Sequence, residues 1–376
     1  MIKFLLSVIF FLATANVSGD SRVSNPVAAS KAAQAMIEEL GLQESELPSR
    51  ELPGWSKPKK IVVRVVQPNR LEELQAVAPD VEIVLVETLK QAIAVAGDAQ
   101  VIMGFCAEEL LAKATRLQWL QVYSAGVDSC IALPGLRREN LLLTNGQRIA
   151  SPALAEHAIA LMMALVRGLD LYHINQLKGL WAWDIGLERN DFMELEGRTV
   201  LIVGLGGIGT QTAKRAHGLG MRVIATRGSR REGPDYVDYV GLADEVIELA
   251  GKADVVINTT PLTDRTRGMF DAEFFSAMKP TAYFISVGRG ASTVTSDLVT
   301  ALKEGTISGA GLDVTDPEPL PVNHPLWNTP RVIISPHTGA RSDRSRDRLF
   351  LLVQENLRRY VAGEPMLSVV DIERGY

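Results

Sequence analysis

Residues 199–216 read TVLIVGLGGIGTQTAKRA. Five residues, four of them aliphatic, lead into Gly204-x-Gly206-x-x-Gly209, and a helix-forming stretch follows. Strand, glycine turn, helix is the context in which such a loop binds a dinucleotide. Gly204 permits the tight turn, Gly206 lets the backbone approach a pyrophosphate, and Gly209 lets helix and strand pack closely. The free N–H groups of the helix start, around Gly207 and Ile208, offer donors and a partial positive charge to phosphate. A glycine-rich turn without a ligand is the plainer reading, and the flanking strand and helix weigh against it.

The next strand, RVIATRGSRR (residues 222–231), bears on the cofactor. NAD sites place Asp or Glu at this strand end to take the ribose 2′-OH. Here Arg227 stands there, with Ser229, Arg230 and Arg231 behind it. A cationic cluster suits the extra 2′-phosphate of NADP, so NADP is expected to be preferred over NAD. The competing reading is a solvated basic loop.

Further strand-like runs follow: DVVINTT, AYFISVG, SGAGLDV and RVIISPH. An earlier series begins at Lys59 with IVVRVVQ, VEIVLVE, VIMGF and LQVYSAG, separated by helix-like segments at 71–77, 89–96 and 108–114. Alternating strands and helices predict an α/β fold with parallel sheets. Two such series predict two domains, joined by helices from Ser151 to about Lys178. A last helix over about 343–361 is free to return to the first domain. Residues 20–58 form a leader, helical from Pro26 to Leu42 and then broken by Pro48, Pro53 and Pro58.

The chain has 376 residues, with 39 Lys+Arg against 44 Asp+Glu, a net charge of −5. Length suits two or three domains, and 47% hydrophobic with 22% charged residues is globular composition. This balance gives no footprint for nucleic acid. Two cysteines, Cys106 and Cys130, exclude a disulfide framework and a four-thiolate zinc site, and no metal is expected. Buried free thiols are expected rather than a pair. Lys3 followed by the apolar run FLLSVIFFLATA and small residues has the layout of a secretory signal peptide over residues 1–19. Cleavage is expected near Asn16 or Asp20, with no membrane attachment afterwards. Export sits uneasily with a nicotinamide cofactor, whose chemistry points to the cytoplasm, so localisation stays open.

Three downstream segments are read together: FISVGRG (284–290), GLDVTDPEPLP (311–321) and SPHTGA (335–340). With YSAGVDS, SPALAEHAIALMMALVR and TTPLT, they resemble the signature segments of the D-isomer-specific 2-hydroxyacid dehydrogenase family. The resemblance runs from about Lys59 to the C-terminus. It implies two Rossmann- or flavodoxin-like domains, with a cofactor domain (150–340) inserted into a substrate domain (59–149 plus 341–376). It implies a homodimer clasped through the Ser151–Arg167 helix. In the matched motifs Arg289 binds the carboxylate and carbonyl of a small 2-keto acid, His337 moves the proton, and Glu318 is its carboxylate partner. Asp313 and Asp316 are weaker candidates for that partner, and Asp313 is placed among the cofactor contacts. Ala125 and Gly126, with Ser124 as a further candidate, offer backbone N–H groups to the substrate carboxylate. Thr260 and Pro261 lie along the cofactor, and Gly288 near the nicotinamide. Ser286 stands where the family usually has Asn.

The chemistry asks for these residue types independently. Arg can grip a carboxylate with two parallel N–H bonds and polarise the adjacent carbonyl. His titrates near neutrality and can protonate the alkoxide. A carboxylate beside it favours the imidazolium. Singly, each residue has a bland reading as phosphate clamp, loop acid or cap. Together behind a nucleotide loop they point to catalysis. His157 is expected to be structural, His173 and His217 to lie on the surface, and His324, Trp327, Trp181 and Trp183 to pack rather than do chemistry, with Trp181 and Trp183 placed where they could reach a neighbouring subunit's site. The sequon Asn258-Thr259-Thr260 falls where cofactor should lie and is discounted.

NHPLW with TRGSRR points within the resemblance to glyoxylate/hydroxypyruvate reductases, hence an NADPH-linked reductase. Formate dehydrogenases carry Gln at the place of Glu318, which opposes that reading. A nucleotide-sensing corepressor or scaffold on the same fold is the alternative from another class.

Overall fold

The computed structural model describes residues 26–65, 67, 70–138, 140–184 and 192–375. The expected signal segment and its cleavage sites lie outside these residues.

The first strand, β1 (Glu44–Pro48), belongs to neither large sheet and pairs antiparallel with the last, β14 (Pro365–Leu367). A five-stranded sheet is built from β2 (Lys60–Arg64), β3 (Glu82–Val86), β4 (Val101–Met103), β5 (Trp119–Gln121) and β6 (Leu142–Thr144), in the order β3-β2-β4-β5-β6. A seven-stranded sheet is built from β7 (Thr199–Val203), β8 (Arg222–Arg227), β9 (Tyr239–Leu242), β10 (Val255–Asn258), β11 (Tyr283–Ser286), β12 (Gly309–Leu312) and β13 (Val332–Ile334). Its order is β13-β12-β11-β10-β7-β8-β9. All pairings within these two sheets are parallel. The strand order reverses beside β2 in one sheet and beside β7 in the other, and such switch points are where open α/β sheets bind ligands.

Both faces of the larger sheet are covered, which is why its strands read as continuous apolar runs. Val200, Ile202, Ile257 and Ile285 face one core together with Leu161 and Leu165 of the Ser151–Val166 helix. Leu201, Val203, Val256 and Phe284 face the other, with Phe270, Phe274 and Phe275. The smaller sheet alternates likewise. Val62, Ile102 and Leu120 meet one core. Ile61, Val63, Met103 and Trp119 meet Phe350, Val353, Leu357 and Tyr360 of the Ser345–Ala362 helix. The last helix therefore does return to the first sheet. Trp119 stacks on Tyr360 with ring centroids 4.8 Å apart, and its Nε1 donates to Thr144 Oγ1 at 2.8 Å.

The leader is more structured than its prolines suggest. The Pro26–Leu40 helix buries Met36 and Leu40 against Leu352 and Leu367. The short strands β1, β6, β9 and β14 have three to five residues each and gave no separate sequence signal.

The expectation of free thiols is overturned, because Cys106 and Cys130 form a disulfide. Cys106 lies just beyond β4, and Cys130 lies in the short Asp128–Ile131 helix beyond β5. Those strands are neighbours, with Met103 opposite Gln121. Parallel pairing brings the two loop starts together, which a sequence separation of 24 does not reveal.

Candidate active site

The glycine loop follows β7, as its motif predicts. Gly204 has φ +94°, a conformation that strains any side chain, and a Cβ there would press on Thr260. A Cβ on Gly209 would come 2.2 Å from Gly204 O, so only glycine permits this approach of helix to strand. Gly206 caps the Gly207–Gly218 helix and has nothing within 4 Å of the position its Cβ would occupy. That open space in front of a helix N-terminus fits a pyrophosphate. Ile208 packs against the core below.

At the end of β8, Arg227 is half-buried, and its Nε is enclosed with no hydrogen-bond partner. Burial, then the nearby Arg230 and Arg148, push its guanidinium below the usual arginine range, with Glu232 acting weakly the other way. Ser229 and Arg230 are exposed beside it. Arg231 is committed elsewhere: it pairs with Glu245 at 2.7 Å and donates to Tyr239 Oη at 3.1 Å. A half-buried cation whose enclosed Nε lacks a partner fits a ligand that brings an anion to this strand end.

The ends of β10 and β11 are tied by Asn258, which is fully buried. Its Nδ2 donates to Ser286 Oγ at 3.0 Å and to Ser292 Oγ at 2.8 Å, while its Oδ1 accepts from Thr260 N at 2.9 Å. An asparagine so enclosed has no free amide to glycosylate. Ser286, in the place of the expected Asn, thus holds the neighbouring strand's Asn. Gly288 lies so close to Thr260 that a Cβ would meet Thr260 O at 2.6 Å. Pro261 O accepts from Thr266 Oγ1 at 2.6 Å, closing the turn after β10.

Arg289 crosses to the first sheet. Its Nε donates to Asp128 Oδ2 at 3.0 Å, and its Nη1 to Gly288 O at 2.8 Å. Its Nη2 fills the space a side chain on Gly126 would need, 1.4 Å from the position of that Cβ. The Ser124–Gly126 turn is braced from below: Asn145 Nδ2 donates to Ala125 O at 2.7 Å, and Ser124 Oγ to Gly126 O at 2.7 Å. The structure thus brings Arg289, Ala125 and Gly126 together, as expected, and adds Asp128 and Asn145.

Beyond β12, Glu318 meets His337 beyond β13, with Glu318 Oε1 2.6 Å from His337 Nδ1. Both side chains are over 40% exposed, so the pair faces solvent rather than the core. Neither Asp313 nor Asp316 takes this place. Asp313 is 1% exposed, accepts from Ser335 Oγ, Thr338 N and Gly339 N at 2.7, 3.0 and 3.0 Å, and holds the histidine loop from beneath. His337 itself has φ +51°, a left-handed conformation costly for a non-glycine residue, and its N–H donates to Asp313 O at 2.8 Å. His157 Nε2 lies 2.7 Å from Ser335 Oγ and joins this support, in keeping with a structural role.

Arg289, Glu318 and His337 follow the C-terminal ends of three neighbouring parallel strands. A Cβ on Gly290 would collide with Thr315 O, so the arginine turn rests directly on the segment leading to Glu318. An anion-gripping cation and a solvent-facing imidazole–carboxylate pair therefore share one edge with a dinucleotide loop.

Comparisons with known proteins give the family. Residues 159–339 match the NAD binding domain of the D-isomer specific 2-hydroxyacid dehydrogenases. A glyoxylate reductase of Pyrococcus furiosus is 34% identical over 278 residues, 71% of this chain and 79% of that protein.

The chain belongs to the D-isomer specific 2-hydroxyacid dehydrogenase family.

A member of the family from Aeromonas salmonicida has a solved structure that is 31% identical, with a TM-score of 0.72 over 84% of this chain and 100% of that one. The NADPH-dependent glyoxylate/hydroxypyruvate reductase of Sinorhizobium meliloti, solved with NADP and sulfate, is 27% identical, with a TM-score of 0.72 over 85% of this chain and 100% of that one. This dehydrogenase is accordingly an oxidoreductase acting on the CH–OH group of its donor.

Other residues fell differently. His173 and His217 are on the surface, as expected. Trp181 and Trp183 do not pack: they are 93% and 73% exposed, near the exposed Leu169, Ile174 and Leu177. The Ser151–Val166 helix packs Leu161, Met162 and Leu165 on the larger sheet and leaves Leu154, Ile159 and Met163 only partly buried.

Proposed function

We propose that the dehydrogenase reduces a small 2-keto acid of the glyoxylate or hydroxypyruvate kind to a D-2-hydroxy acid, preferring NADPH. The observation that carries this reading is the 2.6 Å His337–Glu318 pair on the same edge as Arg289 and the glycine loop. The relatives whose names specify glyoxylate and NADPH support it.

The nicotinamide cofactor, when bound along Gly204, Gly206, Gly207, Ile208, Gly209, Thr260, Pro261 and Gly288, supplies the hydride that reaches the keto carbon. The chain's own residues do the rest. Arg289 exchanges Asp128 for the substrate carboxylate and polarises the carbonyl oxygen. The Ala125 and Gly126 backbone positions the other end of that carboxylate. His337, oriented by Glu318, gives a proton to the oxygen that becomes the hydroxyl. Asp313 keeps the histidine loop in place from below. We assign 150–340 to the cofactor domain and 59–149 with 341–376 to the substrate domain.

Arg227 separates the two cofactors. A charge-assisted hydrogen bond lost on exchanging NADPH for NADH costs about 1.5–3 kcal/mol, roughly a ten- to hundredfold preference per contact. Arg227→Asp is expected to invert or abolish the NADPH:NADH ratio of kcat/KM, measured with glyoxylate, hydroxypyruvate and pyruvate in turn. A wild-type preference for NADH, or an unaltered ratio in the variant, would reject the assignment. Tight cofactor binding with no turnover of any 2-keto acid would favour a sensor instead.

The exposed apolar residues Leu169, Tyr172, Ile174 and Leu177, with Trp181 and Trp183 after them, support a homodimer in which this segment joins the Ser151–Arg167 helix. Light scattering is expected to give twice the chain mass, and Leu177→Glu to reduce it to one. A monomeric wild type would end this reading.

A further inference from the structure

The crossing from the first sheet to the second brings another cation to the cofactor side. Arg148 lies between β6 and the Ser151–Val166 helix, with φ +68°. Its stem covers the start of the helix after the glycine loop: a Cβ on Gly207 would stand 2.8 Å from Arg148 Cγ. Its Nη1 donates to Leu40 O, the C-terminal end of the leader helix, at 3.2 Å. The next residue, Ile149, is buried with Leu40 and Leu42, so the leader fixes this backbone and steers the guanidinium.

Arg148, Arg227 and Arg230 lie close enough to act on one another's charge. Among the described residues, no carboxylate forms an ion pair with Arg148, Arg227 or Arg230, whereas Arg231 and Arg215 have Glu245 and Glu156. Burial and the field of Arg230 both disfavour the charge on Arg148. The same field, together with that of Arg148, acts on Arg227, whose enclosed Nε has no partner. Arginine does not escape by losing its proton, so the mutual repulsion is relieved by an anion.

We propose that Arg148 is a specificity-determining residue for the cofactor, joining Arg227 and Arg230 in a three-sided seat for the phosphate monoester on the adenosine ribose. The proposal rests on the NADPH preference argued above. It gives the leader helix a task, since that helix holds the arginine that reads the 2′-phosphate. The alternative for a cation beside Gly207 is a clamp on the pyrophosphate, which NADPH and NADH share.

Calorimetric titration with 2′,5′-ADP, 5′-AMP, NADPH and NADH separates these, using wild type and Arg148→Met. The expected result is binding of 2′,5′-ADP and NADPH weakened about tenfold or more, with 5′-AMP and NADH unchanged. Parallel weakening of NADPH and NADH would overturn the proposal in favour of a pyrophosphate clamp, and no change in any ligand would overturn it outright. Should Arg148→Met not fold, Arg148→Lys gives the same discrimination. It keeps one charge but loses the planar fork, so selective weakening toward 2′,5′-ADP supports the seat and equal weakening rejects it. A wild type that binds 2′,5′-ADP no better than 5′-AMP refutes the NADPH reading itself, which is distinct from a selective wild type that is indifferent to Arg148.

Discussion

Arg289→Ala is expected to lower kcat/KM for the 2-keto acid by roughly 10²–10⁴-fold while leaving the NADPH dissociation constant nearly unchanged. The magnitude follows from losing two charge-assisted hydrogen bonds to the substrate, at about 1.5–3 kcal/mol each. The selectivity follows from where the guanidinium lies. It reaches Asp128 and the face of Gly126, both in the turn and short helix after β5, and not the glycine loop. The variant also leaves the Asp128 carboxylate without its cation, and that charge repels an incoming carboxylate. Stopped-flow binding of NADPH beside steady-state turnover reads both halves. A parallel fall in cofactor affinity would mean that Arg289 serves the phosphates.

His337→Ala is expected to cost roughly 10²–10⁴-fold in turnover, the usual range for a positioned acid–base group. The alanine variant removes the proton source without touching Arg289. Glu318→Gln tests the pairing more finely. The amide keeps a hydrogen-bonding oxygen near His337 Nδ1 but removes the negative charge beside it. Losing the charge-assisted contact that orients the ring should lower turnover by about tenfold or more at fixed pH. Undiminished turnover in His337→Ala would take the imidazole out of the mechanism. Undiminished turnover in Glu318→Gln would take the carboxylate out.

The residues legible in the sequence were those whose neighbours are close in the chain. Gly204, Gly206 and Gly209 announce themselves because strand, turn and helix are consecutive. Arg289, Glu318 and His337 are each embedded in a short distinctive segment, and parallel strands with short connections bring those segments to one edge. Residues whose partners are distant gave no signal. Asp128 is one letter in a turn until the structure places Arg289, 161 positions later, against it. Arg148 sits in the crossing between the sheets until the structure places Leu40, 108 positions earlier, and Gly207 against it. Asn258 was noticed only as a sequon, whereas its work is to join the turns after β10 and β11. The disulfide was missed for the same reason, since strand order and not spacing made its cysteines neighbours. Strands β6 and β9 are short and lean on adjacent strands for their identity, so periodicity within them had too few residues to register.

The return of the Ser345–Ala362 helix to the first sheet bears on how the chain assembles during synthesis. The seven-stranded sheet is encoded without interruption and has all its strands once Ile334 is made. The five-stranded sheet emerges earlier, yet one face of it, with Ile61, Val63, Met103 and Trp119, lacks its cover until Tyr360 has left the ribosome. At about 5–20 residues per second, the more than two hundred residues after β6 represent roughly ten seconds or more of exposure. The first unit translated is therefore the last that can close, and during that interval its bare apolar face is the part of the nascent chain most open to chaperones and to aggregation.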